Sequence, residues 1–240
     1  MTLPALVAAD LGPAVRAAFT RAPGNLSRTV GDQDGVLDRR CALAAWAGAP
    51  VAYAWQVHGR GVHVVTGAAE VPDDGPVARA DGLVAVGPRV ALGVLVADCV
   101  PVLLADGVAG VVGVAHAGRA GVAAGVVGAV VAAMVAEGAA PGRLRAVVGP
   151  AICGRCYEVP ADLRDEVAAV VPAARAETSW GTPALDLPAA VAAQLADVGV
   201  GAVTALGACT LEDPGWYSHR GRASGRPEGR FAGVVRALAR

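Results

Sequence analysis

The stretch LGVLVADCVPVLLADGVAGVVGVAHAGRAG, residues 92–121, decides the fold. Its short apolar runs are broken at Asp98-Cys99, at Asp106-Gly107 and after Ala115. This punctuation predicts strands over residues 91–97, 102–105 and 110–115, and the near-continuous hydrophobicity predicts that both faces of each strand are covered. Charged and nucleophilic side chains are costly to bury unless they are paired or bound to metal. Asp98, Cys99 and His116 nevertheless stand at the ends of these runs, where loops from several strands can converge.

Working outward, AGVAAGVVGAVVAAMVA (residues 120–136) is uncharged and approaches the roughly 17–25 residues that span a bilayer. It is built of Ala, Gly and Val rather than Leu and Ile, and it is bounded by Arg119 and Glu137. A helix lying on the sheet is expected there. Upstream, Val15–Thr20 reads as a strand, RAPGNLSRTVGDQDG as a long polar loop able to act as a lid, and Val36–Ala47 as a helix. VAYAWQVHG and GVHVVTG read as a hairpin around Gly59, Arg60 and Gly61, with His58 at the turn. Downstream, LRAVVGPAI restarts the sheet, PADLRDEVAAVV and LDLPAAVAAQLADVG read as helices, and AVTALGACT as a late strand. No repeat or linker interrupts the pattern, so residues 1–240 are expected to form one α/β domain, a mixed sheet flanked by helices.

The chain has 240 residues, 55% hydrophobic and 17% charged, with a formal net charge of −1. Such a balance offers no broad basic field for nucleic acid or a membrane surface. Five cysteines, an odd number, and no basic-then-apolar leader point to a reduced, cytoplasmic protein.

Histidines occur at 58, 63, 116 and 219. His58, Cys99 and His116 form the most informative group, each at a strand end beside Gly, Asp or Pro. Two imidazoles and a thiolate suit Zn²⁺, and three protein ligands leave a fourth tetrahedral position open, as in catalytic rather than closed sites. The same residues also suit a cysteine nucleophile with a histidine base. CGRC, Cys153 to Cys156, has the C-x-x-C spacing of thiol redox motifs and of half a zinc finger, but no second pair accompanies it, and a structural role is expected. Cys41 and Cys209 read as small buried hydrophobes. Arg21, Arg119, Arg220 and Arg226 sit in Gly-rich turns whose amides and guanidinium forks suit phosphate. No P-loop and no strand-linked G-x-G-x-x-G occurs.

Taken in order, QVHG (56–59), ADG (80–82), ADCVPVLLAD (97–106), HAG (116–118), GPAI and CYEV (within 149–159), CT (209–210) and YSHR with SGR (within 217–226) form a set. The set resembles, over nearly the whole chain, the family named multicopper polyphenol oxidase or laccase domain. That family is also called peptidoglycan editing factor, and its members are described as purine nucleoside phosphorylases. The resemblance implies an α/β fold with a mixed-sheet core, and a zinc site from His58, Cys99 and His116. It further implies phosphorolysis of adenosine, inosine and methylthioadenosine to free base and (methylthio)ribose 1-phosphate, with accompanying adenosine deaminase activity. The implied partners are a small nucleoside and phosphate. Three positions differ from the family pattern: Arg119-Ala120-Gly121 replaces Trp-Arg-Gly after HAG, Gly221 follows Arg220 where paired arginines are usual, and Gly24-Asn25-Leu26-Ser27 replaces Gly-Gly-Val-Ser. Copper-dependent phenol oxidation, a Cys99-based hydrolase acting on peptidoglycan fragments and a non-catalytic binding role are the competing readings. Four histidines are too few for a multicopper centre.

Overall fold

A computed structural model describes residues 2–239. The first half of the chain forms β1 (Leu6–Ala8), β2 (Val15–Thr20), α1 (Val36–Ala47), β3 (Val51–Tyr53), β4 (Val62–Val65), β5 (Gly82–Val86), β6 (Ala91–Val96), β7 (Val100–Asp106) and β8 (Val111–Ala117). The second half forms α2 (Arg119–Ala124), α3 (Val126–Ala136), β9 (Arg145–Val148), α4 (Ala161–Val170), β10 (Arg175–Glu177), β11 (Pro183–Leu185), α5 (Leu187–Asp197), β12 (Ala202–Ala205) and β13 (Phe231–Ala237). The α/β class with mixed sheets flanked by helices is as expected.

Two sheets carry the architecture, one ordered β1-β2-β13-β6-β3 and the other β12-β9-β7-β8-β5-β4, with β10-β11 as a separate hairpin. They pack face to face. Phe19, Leu92, Val94, Leu103, Val112, Val114, Phe231 and Val235 close the core between them. On the far side of the larger sheet, Val102, Leu104 and Ala115 meet Val126, Val130 and Met134 of α3 and Val191 and Leu195 of α5. On the far side of the smaller sheet, Leu43 and Ala47 of α1 meet Tyr53, Ala91 and Val234.

This layering explains the reading of residues 92–121. Along β7, Val102 and Leu104 face the helices while Leu103 and Ala105 face the other sheet, the period of two that a strand imposes. Both sets are apolar because both faces are covered, although β7 pairs antiparallel with β8 and β9. Continuous apolar runs usually signal parallel sheets; here a second sheet takes the place of one helical layer.

Three expectations are corrected. The segments around His58 do not form a hairpin: β3 pairs parallel with β6 in one sheet, and β4 pairs parallel with β5 in the other. The chain between them crosses from sheet to sheet. The helix expected over 120–136 is two helices, because Gly125 adopts the left-handed conformation (φ 81°) and caps α2 before α3 begins. Cys41 is exposed on α1, whereas Cys209 is buried as expected. Among the described residues, no helix is long and apolar enough to cross a membrane.

Candidate active site

Two crossings between the sheets carry His58 and Cys99. Residues 54–61 lead from β3 to β4, and residues 97–99 lead from β6 to β7. Among the described residues, His58 (φ 60°) and Asp98 (φ 80°) are the non-glycine residues with positive φ, one on each crossing. Such backbone costs about 1–3 kcal/mol and persists only where the surroundings over-determine it.

The surroundings do so here. The Gln56 amide bonds the Leu95 backbone twice, its Nε2 donating to the carbonyl (2.7 Å) and its Oε1 accepting from the N–H (2.9 Å). The buried carboxylate of Asp81 accepts the backbone N–H groups of Val57 (3.1 Å), His58 (2.9 Å) and Gly59 (2.7 Å). On the other crossing, Asp98 Oδ1 accepts from the Thr210 hydroxyl and Oδ2 from the Arg220 backbone N–H, both at 2.6 Å. The CT and YSHR segments therefore fix the turn that presents Cys99.

His116 joins from β8, where it pairs with Pro101 next to that turn. Its Nδ1 lies 2.8 Å from Asp81 Oδ1, which leaves Nε2 for the cleft. Cys99 Sγ lies 3.7 Å from His58 Nε2, and the two imidazole rings meet edge to face with centroids 4.7 Å apart. One donor atom from each of His58, Cys99 and His116 lies within 4.8 Å of the others. Gly118 makes this approach feasible, since a Cβ there would stand 2.7 Å from His58 Cδ2 and 3.0 Å from Cys99 Sγ.

The electrostatics favour the charged forms. Burial by itself raises the Cys99 thiol, but the charge of His116 and hydrogen bonds from His116 and His58 outweigh it and bring the thiol down to about 6. Burial likewise disfavours a charged His116, but the Cys99 thiolate and the Asp81 carboxylate lift it to about 9. Burial raises Asp81 too, and hydrogen bonds from His116 and Gly59 reverse that into a net lowering. A thiolate beside imidazoles, one of them oriented by a carboxylate, is a donor set that fits a zinc-class ion.

A cleft of about 960 Å³ opens over these residues. Arg28, Arg40, Arg119, Arg220 and Arg230 line it, with Tyr53, Trp55 and Tyr157 supplying aromatic walls and His219 another imidazole. Arg220 lies over the Tyr157 ring at 5.2 Å and also donates to the Glu158 carbonyl (3.0 Å). The expected lid loop forms part of the rim through Ser27 to Val30, tied down by the buried Asn25, whose amide donates to the Val30 and Asp32 carbonyls (2.7 and 2.8 Å).

Of the four arginines expected at an anion, the structure brings Arg119 and Arg220 to the cleft and places Arg21 and Arg226 outside it. Arg21 pairs with Asp213 (3.1 Å) and lies over Trp216 (4.6 Å). Arg226 donates to the carbonyls of Thr210, Leu211, Asp213 and Trp216 at 2.7–3.1 Å, so its guanidinium clamps a loop. His63, on β4, is engaged by Glu70 from the segment that follows the strand. Sequence reasoning passed over Asp81, although it lies inside the quoted ADG, and passed over Arg28, Arg40, Arg230 and Tyr157. A lone acid opening an apolar strand was the available signal for Asp81.

Residues 14–237 match the family described as multi-copper polyphenol oxidoreductase laccase. The chain belongs to that family. Laccase-family relatives include a Streptomyces coelicolor protein named purine nucleoside phosphorylase, 50% identical over 216 residues and covering 88% of this chain and 86% of its own length. A Mycobacterium tuberculosis protein of the same name is 43% identical over 215 residues, covering 88% of this chain and 83% of its own. Among solved structures, a Neisseria meningitidis protein superposes with a TM-score of 0.84 at 31% identity, over 98% of this chain and 99% of its own. YlmD of Geobacillus stearothermophilus superposes with a TM-score of 0.82 at 31% identity, over 94% and 93%.

Proposed function

We propose that this chain is a metal-dependent purine nucleoside phosphorylase acting on adenosine, inosine and methylthioadenosine. Phosphate forms the new bond at C1′ of the sugar as the glycosidic bond breaks, and the purine leaves on its ring nitrogen with a proton. The products are free base and ribose 1-phosphate, or the methylthioribose 1-phosphate. Deamination of adenosine is proposed as a side activity. His58, Cys99 and His116 would hold the metal, zinc in the first instance and copper as the alternative.

The observation that supports this most is the convergence of that donor set with a cluster of arginines in one cleft of about 960 Å³, a size suited to a small ligand. Arg119 and Arg220 hold phosphate, since a guanidinium fork matches its oxygens. Arg230, partly buried at the same cleft, adds positive charge facing Cys99 and Asp98. Trp55, 59% exposed at the rim, offers a ring face to a purine. When bound, a zinc ion supplies Lewis acidity and a high local positive charge. Asp81 holds His116 in one tautomer and orientation, and Gln56 and Asp81 together hold His58. A reducing, cytoplasmic setting is part of this reading, in keeping with an odd number of cysteines, five.

The test is base release from adenosine or inosine by metal-analysed protein, with and without phosphate. Phosphate-dependent release that disappears in Cys99→Ala supports the reading; no release with either nucleoside, in protein holding stoichiometric zinc, overturns it. A second reading is favoured by the alignment Asp81–His116–Cys99, in which a carboxylate orients an imidazole that faces a thiol. That is the arrangement of a cysteine hydrolase. It predicts product formation that needs no phosphate and survives chelators.

A further inference from the structure

CGRC gains partners that its sequence spacing does not reveal. The parallel bridge between Ala151 and Cys209 lays the segment after β9 beside the segment after β12. Two turns then close on each other. In one, the Cys156 and Tyr157 backbone N–H groups donate to the Cys153 carbonyl, each at 3.0 Å; in the other, the Asp213 N–H donates to the Cys209 carbonyl at 3.0 Å. The result is C-x-x-C facing C-x-x-E. One donor atom from each of Cys153, Cys156, Cys209 and Glu212 lies within 4.8 Å of the others.

Contacts within the group orient its donor atoms toward one another. The Cys153 backbone N–H points at Cys209 Sγ (3.5 Å), the kind of contact that steadies a thiolate. Glu212 turns back over the sulfurs, its Oε1 3.5 Å from Cys156 Sγ, although its own residue is exposed and free to face solvent. Its other oxygen, Oε2, lies 3.4 Å from Arg155 Nη2. None of the four lines the cleft. Cys156 and Cys209 are buried with Ile152, and Glu212 lies on the solvent side, which leaves an entry path.

We propose that Cys153, Cys156, Cys209 and Glu212 form a second metal site, separate from the cleft, that takes a zinc-class divalent ion. Four protein donors complete a tetrahedral shell, so the site is closed and structural, in contrast to the three-donor group at His58. On binding, three thiols release their protons to solvent as three sulfur–metal bonds form, and the carboxylate supplies the fourth bond. The donors then carry an excess negative charge, which the Arg155 guanidinium partly offsets through Glu212. The ion would rivet the two segments that anchor the Asp98 turn, since the Ile152 N–H donates to the Asp98 carbonyl (3.0 Å) and the Thr210 hydroxyl to its carboxylate. Metal at the second site thus supports the backbone that presents Cys99 without touching substrate.

Cobalt(II) replacement and elemental analysis test this directly, because cobalt bound to thiolates shows charge-transfer absorption that grows with the number of sulfurs. Wild type is expected to hold about two ions per chain and Cys99→Ala about one, the latter keeping most of the charge-transfer absorption. Glu212→Gln, a change at an exposed position, is expected to fold normally and to weaken the thiolate-rich ion by about tenfold or more. Cys209→Ser is expected to abolish it. Cys99→Ala protein that binds no cobalt with thiolate absorption overturns the proposal. So does a disulfide among Cys153, Cys156 and Cys209 in protein purified under reducing conditions, seen as the loss of two hydrogens in the intact mass.

Discussion

Asp81 bonds two histidines of the cleft, the ring of His116 through Nδ1 at 2.8 Å and the backbone N–H of His58 at 2.9 Å. A single fully buried carboxylate side chain thereby sets the orientation of two groups, one from β8 and one from the crossing between β3 and β4.

Asp81→Asn keeps the shape and removes the charge, and an amide cannot accept from all of its present donors. Loss of such an orienting partner typically weakens a metal centre by about 10–100-fold. Competition of the protein against a chromophoric chelator for zinc measures this. An affinity within about twofold of wild type would remove the orienting role from Asp81.

Gly118→Ala places a methyl group 2.7 Å from the His58 ring and 3.0 Å from the Cys99 sulfur. Overpacking of this kind costs about 1–3 kcal/mol of stability. The effect on the cleft is expected to be larger, with turnover down by about a hundredfold for a shift near one ångström. Thermal melting and kcat, measured on the same preparation, separate the two. Unchanged kcat would show that the three donor residues do not act through their mutual placement.

Arg220 and Arg226 are six residues apart in sequence and are expected to differ in kind. Arg220→Ala removes a charged hydrogen-bond donor from the cleft, with KM for phosphate rising by about tenfold or more and folding retained. Arg226→Ala strips donors from the carbonyls of Thr210, Leu211, Asp213 and Trp216, so it should lower stability by about 2–4 kcal/mol. Denaturant titration and phosphate kinetics on both variants check this. The opposite assignment of effects would contradict the geometry.

Acid stability has an identifiable contributor in Asp106. Its side chain is fully buried at the end of β7, and although burial alone would raise it, Arg143 and the N–H groups of Ala140, Ala109 and Val108 hold it down at about 2. A carboxyl lowered on folding stabilises the native state above its ordinary value and loses that contribution as pH falls through the folded value. Urea midpoints are therefore expected to drop between about pH 4 and pH 2 in wild type and to drop less in Asp106→Asn, which starts lower at neutral pH. Parallel acid limbs in the two proteins would exclude the assignment.

Much of this was legible in residues 92–121. Strands β6, β7 and β8 declare themselves by unbroken apolar runs, and the ends of those runs already single out Cys99 and His116. His58 was legible as a candidate but for an incomplete reason: its turn is a passage between sheets, because Val51–Tyr53 and Val62–Val65 find parallel partners far away in sequence. β13 was missed because the apolar Phe231–Ala237 sits among arginines, and its burial comes from β2 and β6, more than a hundred residues upstream. Arg21 and Arg226 misled for a related reason. A guanidinium in a Gly-rich turn reads the same whether its neighbours are phosphate oxygens or backbone carbonyls, and only the folded chain shows which oxygens are within reach. The same limit hid Cys209 and Glu212 from CGRC.

The two crossings have a further consequence. His58 and Cys99 are 41 residues apart, each on a segment that leaves one sheet for the other, so an ion held between them is a cross-link across both layers. Binding to the native state alone raises stability with the logarithm of free ion, by about 2.7 kcal/mol at a hundred times the dissociation constant. The melting temperature of the protein would then gauge metal availability, and a cell short of the ion would hold a chain that is easier to unfold and to degrade.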